Sequence, residues 1–187
     1  MTSDVIETSA ALPNLPVWDD GGWVGLPRLA GDVTADVCVV GLGGSGLSAV
    51  GELRRLGASV VGVDAVVVAG GAAGRNGGFL LAGASKFYHD AVAAYGRERA
   101  LGIYRLTMAE MDRIAAETPE AVRRVGSLRI AVDDGEMEDC RAQLAAMQAD
   151  GLPVEWYEGP EGTGLLMRGD GGFNPLHRCR ILAARHA

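Results

Sequence analysis

Hydrophobic patterning divides the chain into short buried strands and longer amphipathic helices. Asp36-Val37-Cys38-Val39-Val40 is a continuous apolar run after its first residue. A run this short predicts a central parallel strand buried on both faces, with Cys38 in the core. Leu47, Val50, Leu53 and Leu56 then recur at helical spacing until Gly57, a C-terminal stop. Ala58-Ser59-Val60-Val61-Gly62-Val63-Asp64 reads as a second buried strand. Strand, glycine turn, helix and strand within roughly 30 residues make a βαβ unit.

The helical period does not resume after Asp64. Residues 66–78 run as a glycine-rich loop around an Arg75-Asn76 pair. Lys86 to Glu117 is amphipathic and predicts two helices, broken near Gly96 or Gly102. Val125–Val132 predicts a strand, Glu136–Ala149 a helix stopped by Gly151, and Val154–Tyr157 another strand. A glycine-rich stretch, Gly159 to Gly172, follows and leads to Asn174-Pro175. Asn174 is placed to cap a last helix that opens with Pro175 and runs to the end of the chain. Residues 1–35, with Pro13, Pro16 and Pro27, predict an irregular arm anchored by Trp18 and Trp23.

This order predicts an α/β protein. It comprises an arm (1–35), a βαβ unit and glycine-rich loop (36–85), a helical and partly stranded region (86–170), and a returning helix (171–187). The 187 residues suffice for about one domain and part of another.

Composition narrows the class further. Hydrophobic residues make up 48% and charged residues 22%, an ordinary globular balance. The net charge of −7 and the lack of a basic stripe argue against a nucleic-acid partner. Cys38, Cys140 and Cys179 are far apart and unaccompanied by histidines at ligand spacing, so neither a disulfide scaffold nor a metal site is expected. His89, His177 and His186 read as surface or capping residues. The acidic group Asp133, Asp134, Glu136, Glu138 and Asp139 reads as a helix start complementing its dipole. The N-terminus lacks the basic and apolar regions of a signal peptide, and no segment is apolar enough to span a membrane, so a cytoplasmic protein is the default.

The candidate chemistry lies in Gly41-x-Gly43-x-x-Gly46. Alone this spacing is weak evidence. Here a strand precedes it, a helix follows it, and Asp64 ends the next strand about 20 residues on. Gly41 permits the tight turn, Gly43 the approach of a pyrophosphate, and Gly46 close packing of helix on strand. The helix start at Gly44 and Ser45 adds free N–H groups and the positive end of the dipole. Asp64 is the expected acceptor for a ribose.

The second glycine loop is not what a nicotinamide Rossmann domain places after its second strand. It resembles the glycine oxidase, D-amino-acid oxidase and γ-glutamylputrescine oxidase superfamily. The resemblance rests on Gly71-Ala72-Ala73-Gly74-Arg75-Asn76-Gly77-Gly78 and continues through Gly126-Ser127-Leu128-Arg129-Ile130-Ala131, Gly151–Trp156 and Gly171–Leu176. It implies a Rossmann-type FAD-binding fold with the beginning of an α+β substrate domain. It also implies FAD as cofactor, with Ala73, Arg75, Asn76, Gly77 and Gly78 beside the ribityl chain and flavin. Ala73 stands where relatives often carry serine, so one hydroxyl contact would be missing.

By the same resemblance the complete enzyme would pass a hydride from a C–H beside nitrogen, in an amine or amino acid, to the flavin. No residue of this chain emerges as a catalytic acid or base. The superfamily fold spans roughly twice this length, so the expectation is a truncated chain, inactive alone, with an uncovered sheet edge open to self-association. A nicotinamide (NAD(P)) Rossmann enzyme and a non-enzymatic remnant are the competing readings.

Overall fold

The structure, a computed structural model, describes residues 15–187; Pro13 and the N-terminus examined for a signal peptide lie outside them. The chain forms two compact units. The first holds the described residues up to Asn76 together with Cys179–Ala187, and the second is Gly77–Arg178.

In the first unit, β1 (Val37–Val40) lies parallel to β2 (Val60–Val63). Helix α1 (Gly44–Arg55) connects them. Their register pairs Val37 with Val60 and Val40 with Val63. It is pinned at one end by the Asp36 carboxylate, which accepts from the Ser59 amide at 2.9 Å and the Ser59 hydroxyl at 2.6 Å. At the other end the Gly41 amide donates to the Val63 carbonyl at 2.7 Å. Leu47 and Val50 form the buried stripe of α1.

One expectation is corrected here. Burial along β1 alternates between half-buried and exposed, so Cys38 is exposed and Val40 is 82% exposed. The strand is covered on one face. Its unbroken apolar run could not reveal this, because sequence continuity records no neighbours.

The N-terminal arm docks within the same unit. Trp18 donates its indole N–H to the Asn76 carbonyl at 2.9 Å. Asp19 pairs with Arg180 at 3.0 Å, and that hydrogen bond, with one from the Gly21 amide, holds its carboxyl below the usual range. The Arg180 guanidinium also lies 5.7 Å from the centre of the Trp23 ring.

The second unit builds its helices much as the pattern predicts. α2 (Tyr88–Tyr95) and α3 (Arg97–Glu117) are divided at Gly96, whose φ of +83° ends the first helix at no steric cost. The acidic group caps α4 (Asp134–Ala149): the Asp133 side chain accepts from the Glu136 amide at 2.8 Å, and Glu136 accepts from the Val132 amide at 3.0 Å. Tyr88, Ala91, Ala100, Tyr104, Met147 and Leu152 form the core joining these helices. Asn174 caps the last helix, α5 (Pro175–His186), by accepting from the His177 amide at 2.9 Å.

The sheets of this unit depart further from the pattern. One is antiparallel, with β5 (Ser127–Ile130), β7 (Gly162–Met167) and β6 (Glu155–Gly159) in that order. The other places β8 (Gly171–Phe173) between β3 (Phe79–Leu80) and β4 (Val122–Arg123). β7 and most of β8 fall in the glycine-rich stretch, where the pattern assigns no strand. Their glycines are demanded by close backbone approach: a Cβ on Gly164 would stand 1.9 Å from the Arg129 carbonyl oxygen, and one on Gly171 2.1 Å from that of Arg123. No helix among the described residues is long and apolar enough to cross a membrane.

Candidate functional site

The site in the first unit is assembled at the end of β1. Gly41 takes φ +96°, a conformation that side chains resist, and turns the chain toward α1. Gly43 is the residue before α1 and offers no side-chain cap. Its carbonyl accepts the first helical bond, from the Leu47 amide at 2.9 Å. The N–H groups of Gly44, Ser45 and Gly46 therefore have no acceptor within the helix and present the positive end of its dipole. A Cβ on Gly46 would fall 1.9 Å from the Gly41 carbonyl oxygen, so the turn closes only around glycine. A Cβ on Gly44 would meet nothing within 4 Å, which leaves open space where a ligand would approach.

Asp64 follows β2 and reaches across to this turn. One carboxylate oxygen accepts from the Leu42 amide at 2.8 Å, and the other accepts from the Val66 amide at 3.1 Å. Each oxygen retains a lone pair, so the exposed carboxylate can still accept from a hydroxyl.

The glycine-rich second loop returns to the same place. Ala69 donates to the Leu42 carbonyl at 3.0 Å from a left-handed conformation, φ +55°, with only 2% of its surface exposed. For a residue with a side chain this backbone costs about 1 kcal/mol. Leu42 and Ala69 thus tie the two loops together, and nothing in their residue types marks them. Ala72–Gly74 forms one 3₁₀ turn that brings Ala73 against the phosphate-type turn, 3.4 Å from where a Gly43 Cβ would stand.

The side chains of Arg75 and Asn76 bond to the loop itself. Arg75 donates to the Gly70 carbonyl at 2.8 Å, and Asn76 donates to the Ala73 carbonyl at 2.8 Å. Gly41, Gly43, Gly44, Ser45, Gly46, Asp64, Ala73, Arg75 and Asn76 all fall in the first unit, whereas Gly77 and Gly78 open the second. Gly78, at φ +69°, accepts from the Phe173 amide at 2.8 Å.

His186 belongs to the first unit, where its Nε2 lies 3.3 Å from where a Cβ on Gly51 of α1 would stand, and His89 and His177 belong to the second. His89 places Nε2 3.5 Å from Asp139 and 3.6 Å from Asp90. Among the described residues no group of three or more His, Cys, Asp or Glu is arranged to hold a metal ion.

Comparison with known proteins assigns the lineage. The family model described as FAD dependent oxidoreductase matches residues 36–186, most of the chain. The chain belongs to the FAD-dependent oxidoreductase family. It is 34% identical over 115 residues to gamma-glutamylputrescine oxidoreductase of Escherichia coli strain K12, covering 59% of this chain and 27% of that protein. It is 29% identical over 109 residues to the probable oxidoreductase OrdL of Haemophilus influenzae, covering 56% of this chain and 25% of the relative.

Among solved structures, the domain superposes on L-amino acid deaminase from Proteus vulgaris, in a form lacking its specific insertion sequence, with a TM-score of 0.68 at 18% identity. That match covers 87% of this chain and 45% of the deaminase. Glycine oxidase from Geobacillus kaustophilus gives 0.60 at 20% identity, covering 81% and 45%. This FAD-dependent oxidoreductase domain therefore has the α/β FAD-binding fold expected of it. It spans about a quarter of the length of these curated relatives and under half of these solved structures.

Proposed function

We propose that this chain is the FAD-binding portion of an oxidoreductase that oxidises the C–N bond of an amine or amino acid, and that it binds FAD through its first unit. The observation that carries the reading is the uncapped start of α1, set behind a turn that admits only glycine at position 46 and faced by Asp64. These residues fit a dinucleotide. The amides of Gly44, Ser45 and Gly46 would hold the pyrophosphate, and the open space at Gly44 gives it room. Asp64 would accept from the ribose hydroxyls.

The loop through Ala73, Arg75 and Asn76 would extend the contact with backbone donors, its shape fixed by its own side chains. When bound, FAD would supply the redox chemistry by accepting a hydride from the substrate carbon beside nitrogen. The names of the relatives, which include gamma-glutamylputrescine oxidoreductase and glycine oxidase, support that substrate class.

The test is retention of flavin. The purified chain is mixed with FAD and desalted, and absorbance is read near the flavin band at about 450 nm. Retained flavin supports the reading, and its absence from folded protein counts against it. Ala73→Ser restores a hydroxyl beside the turn and is expected to tighten FAD about two- to tenfold, the worth of one added hydrogen bond. Equal or weaker binding by that variant would place residue 73 away from the cofactor.

A further inference from the structure

The second unit contains a cavity of about 300 Å³ that uses none of the residues assigned to the cofactor. Its floor is one face of the β5–β7 pair. The register sets Ser127 opposite Met167 and Arg129 opposite Leu165, so the side chains of these four residues share that face. Tyr88 of α2, Tyr104 and Ile103 of α3, and Gln143 of α4 complete the walls. The volume falls at the lower end of the roughly 300–1,000 Å³ typical of small-molecule sites.

Three groups in this mainly apolar enclosure are available to an anion. Arg129 is half-buried with its guanidinium 4.2 Å above the Phe87 ring. Its guanidinium has no hydrogen bond or ion pair among the described residues, so its N–H groups are available to an acceptor. Gln143 is 5% exposed. Its oxygen accepts from the Tyr88 amide at 3.0 Å, which leaves the amide nitrogen to donate, again with no partner among the described residues. Lys86, the chain's single lysine, is exposed and also lines the cavity.

The opposing charge is already committed. Asp170, 4% exposed, accepts from the Ala82 amide at 3.1 Å and from the Ser127 hydroxyl at 2.6 Å. Two cations, Arg129 and Lys86, therefore line the cavity with one carboxylate whose two oxygens each already accept a hydrogen bond. Burial and the nearby Asp170 carboxylate push the Tyr104 phenol up to about 12, so it stays neutral and adds no competing anion at ordinary pH.

We propose that this cavity binds a small carboxylate with a compact apolar body, its carboxylate received by Arg129 and Gln143 and its hydrocarbon part by Tyr88, Ile103, Tyr104 and Met167. Lys86 attracts the anion to the mouth. The site goes beyond the flavin reading and is independent of it.

Calorimetric titration of the full chain, without FAD, tests the assignment with 4-methylpentanoate, its uncharged amide and 4-methylpentylamine. The carboxylate is expected to bind saturably, the amide about tenfold more weakly, and the amine not measurably. Arg129→Met, which keeps a chain over Phe87 but removes the charge, is expected to weaken the carboxylate about tenfold or more. Ala84→Trp provides a second test at an exposed position on the cavity lining, where a large ring would obstruct entry without entering the core. It is expected to abolish binding with an unchanged circular dichroism spectrum. Equal binding of acid and amide, undiminished binding by the Arg129 variant, or no binding of the acid up to about 10 mM would each overturn the proposal.

Discussion

Gly46→Val is expected to abolish flavin retention and to destabilise the first unit by about 1–3 kcal/mol or more, the usual range for overpacking a site that cannot relax. The obstacle is backbone. Even the first carbon of a side chain would lie 1.9 Å from the Gly41 carbonyl oxygen and 3.4 Å from the Val39 side chain. A flexible neighbour could rotate away, but this carbonyl belongs to the turn that positions the helix start. The variant must therefore shift α1 away from β1 and move the free N–H groups with it.

Gly44→Ala separates folding from ligand approach, because its added carbon would meet nothing within 4 Å. Its stability is expected to stay within about 0.5 kcal/mol of the parent. Any flavin lost by that variant would therefore report crowding of the cofactor. Urea denaturation gives the first quantity, and absorbance after desalting gives the second. A valine variant that keeps both stability and flavin would refute the close-contact account of the turn.

Glu117→Gln is expected to cost about 3 kcal/mol in the second unit, because it strands a buried cation. The Arg178 side chain is 7% exposed and donates to the Glu117 carboxylate at 2.7 Å, while its own Nε is buried without a hydrogen-bond partner among the described residues. Glu117 also accepts from Arg113 at 3.1 Å, so one carboxylate at the end of α3 serves two guanidinium groups. The estimate sits at the low end of the range for a broken buried pair because Glu110, which Arg113 also engages at 2.6 Å, feels the Arg178 charge as well. Removing both partners, as in Glu117→Gln with Arg178→Met, is expected to recover much of the loss, since no buried charge is left unpaired. Denaturant midpoints of the two single variants and the double variant measure this coupling directly. A single variant within about 0.5 kcal/mol of the parent would mean that the Arg178 charge is solvated or paired elsewhere.

The sequence was most legible where local rules and tertiary demands coincide. The apolar run at 37–40, the glycines at 41, 43 and 46 and the acid at 64 gave the βαβ unit because each residue type has few alternative uses there. The break expected near Gly96 or Gly102 falls at Gly96, and Asn174 with Pro175 marked the start of α5, for the same reason. The glycines of β7 and β8 had the opposite effect. They hid the strands from the hydrophobic pattern, while in the structure they admit a neighbouring backbone that no side chain would tolerate. Cys38 was misplaced because an apolar residue in an apolar run carries no record of which faces of the strand are covered.

The sequence by itself determined the lineage, the order of the principal helices and first two strands, and the candidate nucleotide residues, because these rest on spacing along the chain. Tertiary structure alone decided that Ala69 and Leu42 join the two loops, that Glu117 answers Arg178 across 61 positions, and that Arg129 and Gln143 line one cavity. Those relations depend on strand register and helix packing, which bring distant residues together through contacts that no local pattern encodes.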